Sequence, residues 1–216
     1  MKFVQNANTL PTREEYDYII IGGGTAGCPL AATLSSNFSV LVLERGSDPN
    51  AFPSVLSQQG LANTLNDNDD GLNPFQRFVS EDGVENIRGR VLGGGSMINV
   101  GFYSRAQPEF FQSSGVQWDM TAVEKAYQWI EETVVSRPEL SPWQSAFREA
   151  LLEAGVGPDN GYDLKHGVGT RTGGSIFDSR GRRHGAVELL NKADPRNLRV
   201  ATQATVKRII FSQSNG

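Results

Sequence analysis

A strand that runs straight into a glycine turn constrains this chain more than any other feature. Asp17-Tyr18-Ile19-Ile20-Ile21 is an apolar run that enters Gly22-Gly23-Gly24-Thr25-Ala26-Gly27, spaced G-x-G-x-x-G, and a helical pattern rich in Ala and Leu follows. A second strand over residues 39–44 ends on an acid, Glu44. That order is a βαβ unit suited to a dinucleotide. Gly22 permits the tight turn, Gly24 lets backbone approach a pyrophosphate, and Gly27 lets helix and strand pack closely. Unpaired N–H groups at the positive end of the helix dipole favour the phosphates. Glu44 can accept hydrogen bonds from ribose hydroxyls. Glycine loops alone say little; the strand before, the helix after and the acid on the next strand make this one specific for an adenine dinucleotide.

The 216 residues suffice for one large or two small domains with a real core. With 38% hydrophobic and 20% charged residues, the composition is that of a globular protein. A formal net charge of −4 offers no basic surface to nucleic acid or an anionic membrane. No apolar run approaches the roughly 20 residues that span a bilayer, and the first 15 residues lack a signal-peptide core. The single cysteine, Cys28, rules out an internal disulfide framework and any multi-cysteine metal site. It falls in the first turn of the dinucleotide helix, where a thiol pKa can be lowered; packing as a small buried side chain is the plainer reading. Asn37-Phe38-Ser39 is a glycosylation sequon between helix and strand.

Along the chain, residues 1–15 read as an irregular arm, followed by strand 17–21, a helix over about 26–36 and strand 39–44. From Arg45 to Pro74 the chain is polar and broken by prolines, a long excursion with room for one short helix. Asp67, Asp69 and Asp70 lack the spacing of a calcium loop and read as a solvated turn. Residues 119–134 carry Met120, Val123, Tyr127, Ile130 and Val134 at helical spacing, with Asp119 or Thr121 as cap. Residues 142–154 form a second helix, with Ser141 as N-cap, Pro142 at its first position and Gly155 as stop. A hairpin is expected over 172–178 and Arg182 around Ser179-Arg180-Gly181, then a short helix over 185–193 and strands at 198–202 and 204–211. Gln213-Ser214-Asn215-Gly216 resembles a hairpin turn with one strand, so a longer protein is expected.

A second glycine cluster, Gly93-Gly94-Gly95, lies within Arg88–Ala106. Its N–H groups can press against a flat or anionic ligand, and Ser96–Phe102 reads as a helix start. Two such turns favour one extended ligand held at two points. The block Gly89-Arg90-Val91-Leu92-Gly93-Gly94-Gly95-Ser96-Met97-Ile98-Asn99 resembles the first signature of the glucose–methanol–choline (GMC) family of FAD-dependent oxidoreductases. Gly22–Leu34, Phe78–Asn86, Gly115–Trp118, Pro142–Gln144 and Gly181–His184 are similar to its plant branch of (R)-mandelonitrile lyase-like and HOTHEAD-like proteins.

The resemblance implies an α/β fold: a Rossmann-type FAD-binding domain with part of a second substrate or cap domain, as the N-terminal piece of a longer chain. Residues 16–110 would be the first FAD segment, 111–180 part of the cap, and 181–216 a second FAD segment that continues. It implies that Gly22, Gly24, Thr25, Ala26 and Gly27 cradle the pyrophosphate and that Glu44 holds the adenosine ribose, with Arg45 among the cofactor contacts. Leu92, Gly93, Gly94 and Ser96, then Asn99, Val100, Gly101 and Phe102, would line the isoalloxazine and ribityl chain. Val206 would meet the adenine. In the family a C-terminal histidine, paired with histidine or asparagine, does the chemistry, so no catalytic residue and no metal ligand is assigned here. His184 and His166 read as structural, and Arg182 and Arg183 as partners of local acids or carbonyls. NAD is the alternative cofactor; Glu44 argues against NADP.

Three functions fit: oxidation of an alcohol with hydride passing to flavin N5, cyanohydrin lysis with FAD bound but not redox-active, or cofactor binding without catalysis. The expected partners are a small alcohol or cyanohydrin and the rest of the same polypeptide. The plant branch implies a secreted glycoprotein whose leader is absent.

Overall fold

The computed structural model describes residues 1–10 and 15–211. In chain order its strands are β1 (Val4–Asn6), β2 (Tyr18–Ile21), β3 (Val40–Leu43), β4 (Phe75–Val79), β5 (Glu85–Gly89), β6 (Phe102–Tyr103), β7 (Asp159–Tyr162), β8 (Thr170–Thr172), β9 (Gly174–Ser175) and β10 (Leu198–Thr202). Its α-helices are α1 (Gly27–Leu34), α2 (Gly60–Asn66), α3 (Pro108–Ser113), α4 (Met120–Val134) and α5 (Pro142–Glu153).

The central sheet is parallel, in the order β1-β10-β3-β2. Ile20, Val42 and Val200 stand in one register across β2, β3 and β10, and form a buried layer. One face of the sheet is covered by α1, whose Cys28, Ala31 and Ala32 are small enough for the helix to lie close. A 3-10 helix, Ala186–Lys192, completes that layer with fully buried Leu190. Burial of this apolar surface is the main stabilising term of the layer. It also fixes the C-terminal ends of β2 and β3, where the glycine turn and Glu44 sit.

Several expectations are corrected. The N-terminal arm is not irregular throughout, because Val4–Asn6 pairs with Val200–Thr202 as an added parallel strand. Residues 204–211 are not a strand. Gln203 adopts φ 58°, and Gln203 and Ala204 donate their N–H groups to Gly46 and Glu44 carbonyls, which draws the chain out of the ladder and across the end of β3. Ser96–Phe102 is not a helix: a 3-10 turn, Gly94–Met97, gives way to β6 at Phe102. The short helix expected over 185–193 is present as a 3-10 helix, Ala186–Lys192. Residues 75–89 form an antiparallel hairpin, β4–β5, that the sequence reading did not identify. The half-hairpin inferred at 213–216 lies outside the described residues.

Other elements agree. The Asp119 carboxylate accepts from Thr121 N at 2.9 Å and Ala122 N at 3.1 Å and so caps α4. Ser141 and Gln144 close a reciprocal capping box at α5. The expected hairpin is tight: Asp178 N donates to Arg182 O at 2.9 Å, and Phe177 bridges Arg183. Arg105 fastens α4 to β6 through Glu131 and Glu124, while the Tyr103 hydroxyl donates to Glu131 at 2.9 Å.

His184 locks the tight hairpin to the 3-10 helix behind it. Its Nδ1 lies 2.7 Å from Glu188 and its Nε2 3.2 Å from Asp178, while Arg182 pairs with Glu188 at 3.2 Å. Burial opposes the charged ring, but the Glu188 and Asp178 carboxylates outweigh it and hold the pKa above the ordinary 6.5. A group whose folded pKa is raised stabilises fully below its unfolded pKa and loses that contribution as pH rises through the folded value. The melting-temperature advantage of wild type over His184→Gln is therefore expected to be largest near pH 6 and to shrink towards about pH 9. A gap that stays constant between those limits would show that the clamp carries no charge.

Candidate cofactor site

The two glycine turns meet. Gly93 N donates to Gly23 O at 2.6 Å, and a Cβ built on Gly94 would stand 2.7 Å from Gly24 Cα. Below them the first turn opens with Gly22 at φ 96°, its N–H held by Leu43 O at 2.9 Å. A Cβ at Gly27 would fall 2.0 Å from Gly22 O, so helix and turn approach as closely as backbone allows. At the start of α1, Ala26 supplies no side-chain cap. The N–H groups of Thr25, Ala26 and Gly27 donate to no other described residue. An anion at this helix end would satisfy them.

Glu44 is 5% exposed and does two things. Its Oε2 accepts from Gly23 N at 2.8 Å and its Oε1 from Gly46 N at 2.7 Å. It therefore holds the glycine turn in shape, and each oxygen keeps a second lone pair for a hydroxyl. Cys28 lies beneath the same turn, its thiol donating to Gly23 O at 3.2 Å; burial pushes its pKa up to about 12. It is an inert packing residue, as the plainer reading had it.

A cleft of about 300 Å³ runs over this floor, lined by Gly22, Gly24, Glu44, Arg45, Gly94 and Val206. A second cleft of about 550 Å³, which shares Gly89 with the first, is lined by Gly95, Ile98 and Asn99. Val100, Gly101 and Phe102 line a further cavity of about 390 Å³ with Phe147 and Phe177. Of the residues expected as cofactor contacts, Gly22, Gly24, Glu44, Arg45, Gly94 and Val206 line the first cleft, Asn99 the second, and Val100, Gly101 and Phe102 the separate cavity.

Four of the expected contacts have structural roles of their own. Leu92 is fully buried; a Cβ on Gly23 would meet its Cδ1 at 2.5 Å, so it props the first turn from below and does not line a cleft. Gly93 is likewise buried, pressed on Met97. The Ser96 hydroxyl donates to Gly93 O at 2.7 Å and accepts from Ala186 N at 2.9 Å, tying the turn to the 3-10 helix. Arg45 lines the cleft, but its guanidinium donates to Gln76 at 2.6 Å and to Gly89 O at 3.2 Å. Gly89, Ala204 and Thr205 were missed as cleft residues. Gly89 opens the GMC signature block and could have been read there; Ala204 and Thr205 carry no signal of their own, because the kink at Gln203 places them.

Neither histidine lies in these clefts. His184 sits between its two carboxylates, and His166 contacts Arg171 at 3.1 Å on a distant loop. Arg182 and Arg183 pair with an acid and with carbonyls, as expected. Among the described residues no group of three His, Cys, Asp or Glu is placed to hold a metal, and no helix is long and apolar enough to cross a membrane.

Comparison with known proteins agrees with this geometry. Residues 16–216 match the GMC oxidoreductase family. The chain belongs to that family. It is 59% identical over 216 residues to sinalpyl alcohol oxidase Nec3 of Nesocodon mauritianus, covering 99% of this chain and 39% of that protein. It is 54% identical to (R)-mandelonitrile lyase 1 of Prunus serotina, covering 100% and 38%. Against protein HOTHEAD of Arabidopsis thaliana the identity is 55% over 203 residues, covering 92% and 33%. The chain therefore spans less than two fifths of these curated relatives. Pyridoxine 4-oxidase from Mesorbium loti shares the fold at TM-score 0.68 and 24% identity, over 92% of this chain and 44% of that one. The matched region is the FAD-binding part of the family, and FAD is the cofactor that this GMC chain takes.

Gly94 tests the meeting of the turns. With φ 57° and a Cβ 2.7 Å from backbone, Gly94→Ala has to push the turns apart. FAD binding, followed by quenching of flavin fluorescence, is expected to weaken at least about tenfold. Gly167→Ala, where the Cβ meets nothing within 4 Å, should leave it unchanged. Equal affinity in the two variants would mean that the turns need not touch for the nucleotide to bind.

Proposed function

We propose that this chain is the cofactor-binding portion of a GMC flavoenzyme that oxidises the CH–OH group of an alcohol to a carbonyl. The contact between the two glycine turns, whose residues line both the Glu44 and the Asn99 clefts, is the observation that carries it. Bound FAD supplies a hydride acceptor at flavin N5. The chain's own part is placement. Thr25, Ala26 and Gly27 direct N–H groups at the pyrophosphate, Glu44 takes the ribose hydroxyls, and Val206 bounds the adenine end. Asn99 to Phe102 face the isoalloxazine. The base that takes the alcohol proton lies in another part of the polypeptide, since both described histidines are committed elsewhere.

Residues 16–110 and 181–216 form the FAD unit in this proposal, and 111–180 part of the cap over the substrate. The remainder of the same polypeptide covers the apolar surface left open at the sheet edge, where Ile19 is 57% and Ile21 52% exposed, and at Phe102, 86% exposed. The partner in solution is a small alcohol, with neither nucleic acid nor a bilayer span involved.

A second reading, cyanohydrin lysis, is favoured by the (R)-mandelonitrile lyases among the relatives, to which this chain is 54% and 55% identical against 59% to the alcohol oxidase. One pair of measurements on the full-length protein separates them. Anaerobic bleaching of the flavin bands by an aromatic alcohol is the expected result. Benzaldehyde release from mandelonitrile with an unchanged flavin spectrum would replace oxidation by lysis, and a flavin-bearing protein with neither behaviour would leave cofactor binding alone.

The secretory assignment belongs to the same proposal. Asn37 is exposed in the turn after α1, at the opposite end of β3 from Glu44, so a glycan there leaves the cofactor clefts open. Full-length protein from plant tissue should lose mass on endoglycosidase treatment, and the Asn37→Gln variant should lack that part of the shift. No shift in wild type would remove the glycan from the proposal.

A further inference from the structure

Arg183 is among the largest fully buried side chains, 1% exposed, and among the described residues no carboxylate reaches it. Burying a cation costs several kcal/mol unless its donors are satisfied. Here the acceptors are almost all backbone. Nε donates to Val55 O at 3.0 Å, Nη1 to Ser96 O at 3.1 Å and Asn99 Oδ1 at 2.8 Å, and Nη2 to Asn99 O at 2.7 Å. The Phe177 ring lies 4.4 Å away across the guanidinium face. Burial pulls the pKa down to about 10, still far above neutrality, so the group keeps its charge.

Three chain segments converge on this one side chain: the 3-10 turn Pro53–Leu56, the glycine-turn exit Ser96–Asn99, and the hairpin carrying Arg183 itself. The consequence falls on Asn99. Its amide oxygen faces two donors, Arg183 Nη1 at 2.8 Å and Gly101 N at 3.1 Å. An NH2 group cannot accept from either, so the carboxamide has one allowed orientation. Its Nδ2 points away from Arg183 and donates to no described residue, while Asn99 is exposed and lines the second cleft.

We propose that Arg183 is a positioning residue for the flavin: by fixing the Asn99 carboxamide it aims two N–H donors into the cofactor cleft, where the acceptor atoms of the isoalloxazine or ribityl chain receive them. The inference rests on the reading of that cleft as the FAD site and adds to it a source of orientation outside the cleft. The buried charge also sits behind the Asn99 peptide, so its field favours negative charge gathering on the ligand side.

The test uses full-length protein loaded with FAD and pairs two substitutions of opposite sign. Asn99→Asp gives Arg183 a carboxylate partner, so the melting temperature of the apoprotein is expected to hold or rise. It removes both donors and adds negative charge, so FAD affinity should fall roughly tenfold and the flavin reduction potential should drop. Arg183→Gln frees the Asn99 side chain. FAD affinity should fall by a similar factor, with a changed visible circular dichroism of the bound flavin and little added effect in the Asn99→Asp background. Asn99→Asp alone decides the matter if Arg183→Gln does not fold. Wild type that binds FAD while Asn99→Asp binds it equally well, with unchanged potential, overturns the positioning role and leaves the site intact. Wild type that fails to bind FAD overturns the site itself.

Discussion

Two backbone turns in direct contact hold this part of the protein together. Gly23 is where the constraints gather: its carbonyl accepts from Gly93 N and the Cys28 thiol, its N–H goes to Glu44, and Leu92 fills the space where a side chain would stand. Only backbone can pass at these distances. The same crowding that excludes side chains leaves the outward N–H groups of Thr25, Ala26 and Gly27 without partners. An unpaired donor at a helix start is unfavourable unless something accepts from it, so the packing that closes the two turns also creates the demand for an anionic ligand.

A second shell keeps that contact from opening. The hairpin at 178–184 packs against the segment 55–58 and residues 176–177, through Gln58 N to Gly181 O, Arg183 N to Leu56 O and His184 N to Ile176 O. From there Arg183 and the Ser96 hydroxyl reach the exit of the second glycine turn. The two parts that the sequence separates by nearly a hundred positions are thus one mechanical unit. Positive charge is carried into the interior and paid for with carbonyl oxygens, which suits a site meant to receive an anion better than a carboxylate partner would.

Much of the fold was legible where local chemistry decides. The βαβ unit, α4 with its Asp119 cap and α5 with its Ser141–Gln144 box depend on contacts a few residues apart, and periodicity plus capping residues report those directly. The β4–β5 hairpin was also legible and was missed: Asp82-Gly83, with Gly83 at φ 82°, is a strong turn signal between two runs of alternating character. The errors at 96–102 and 204–211 have another cause. Helix and strand patterns were present there, yet distant groups took the backbone: Arg183 claims the Asn99 carbonyl, and Gly46 and Glu44 claim the N–H groups of Gln203 and Ala204.

The amino-acid order alone specified a dinucleotide turn, a second glycine turn, an acid at the right strand end and the GMC likeness, because each is written in spacing that local backbone geometry requires. It could not say that Leu92 and Ser96 brace the turns from behind, that Arg45 ties the cleft wall to Gln76 and Gly89, that Glu44 braces the first glycine turn, or that Ala204 and Thr205 reach the cleft. Those outcomes depend on which buried polar group finds which partner across long stretches of chain. Such pairing is settled only when the whole layer packs and every buried donor and acceptor has to be satisfied at once.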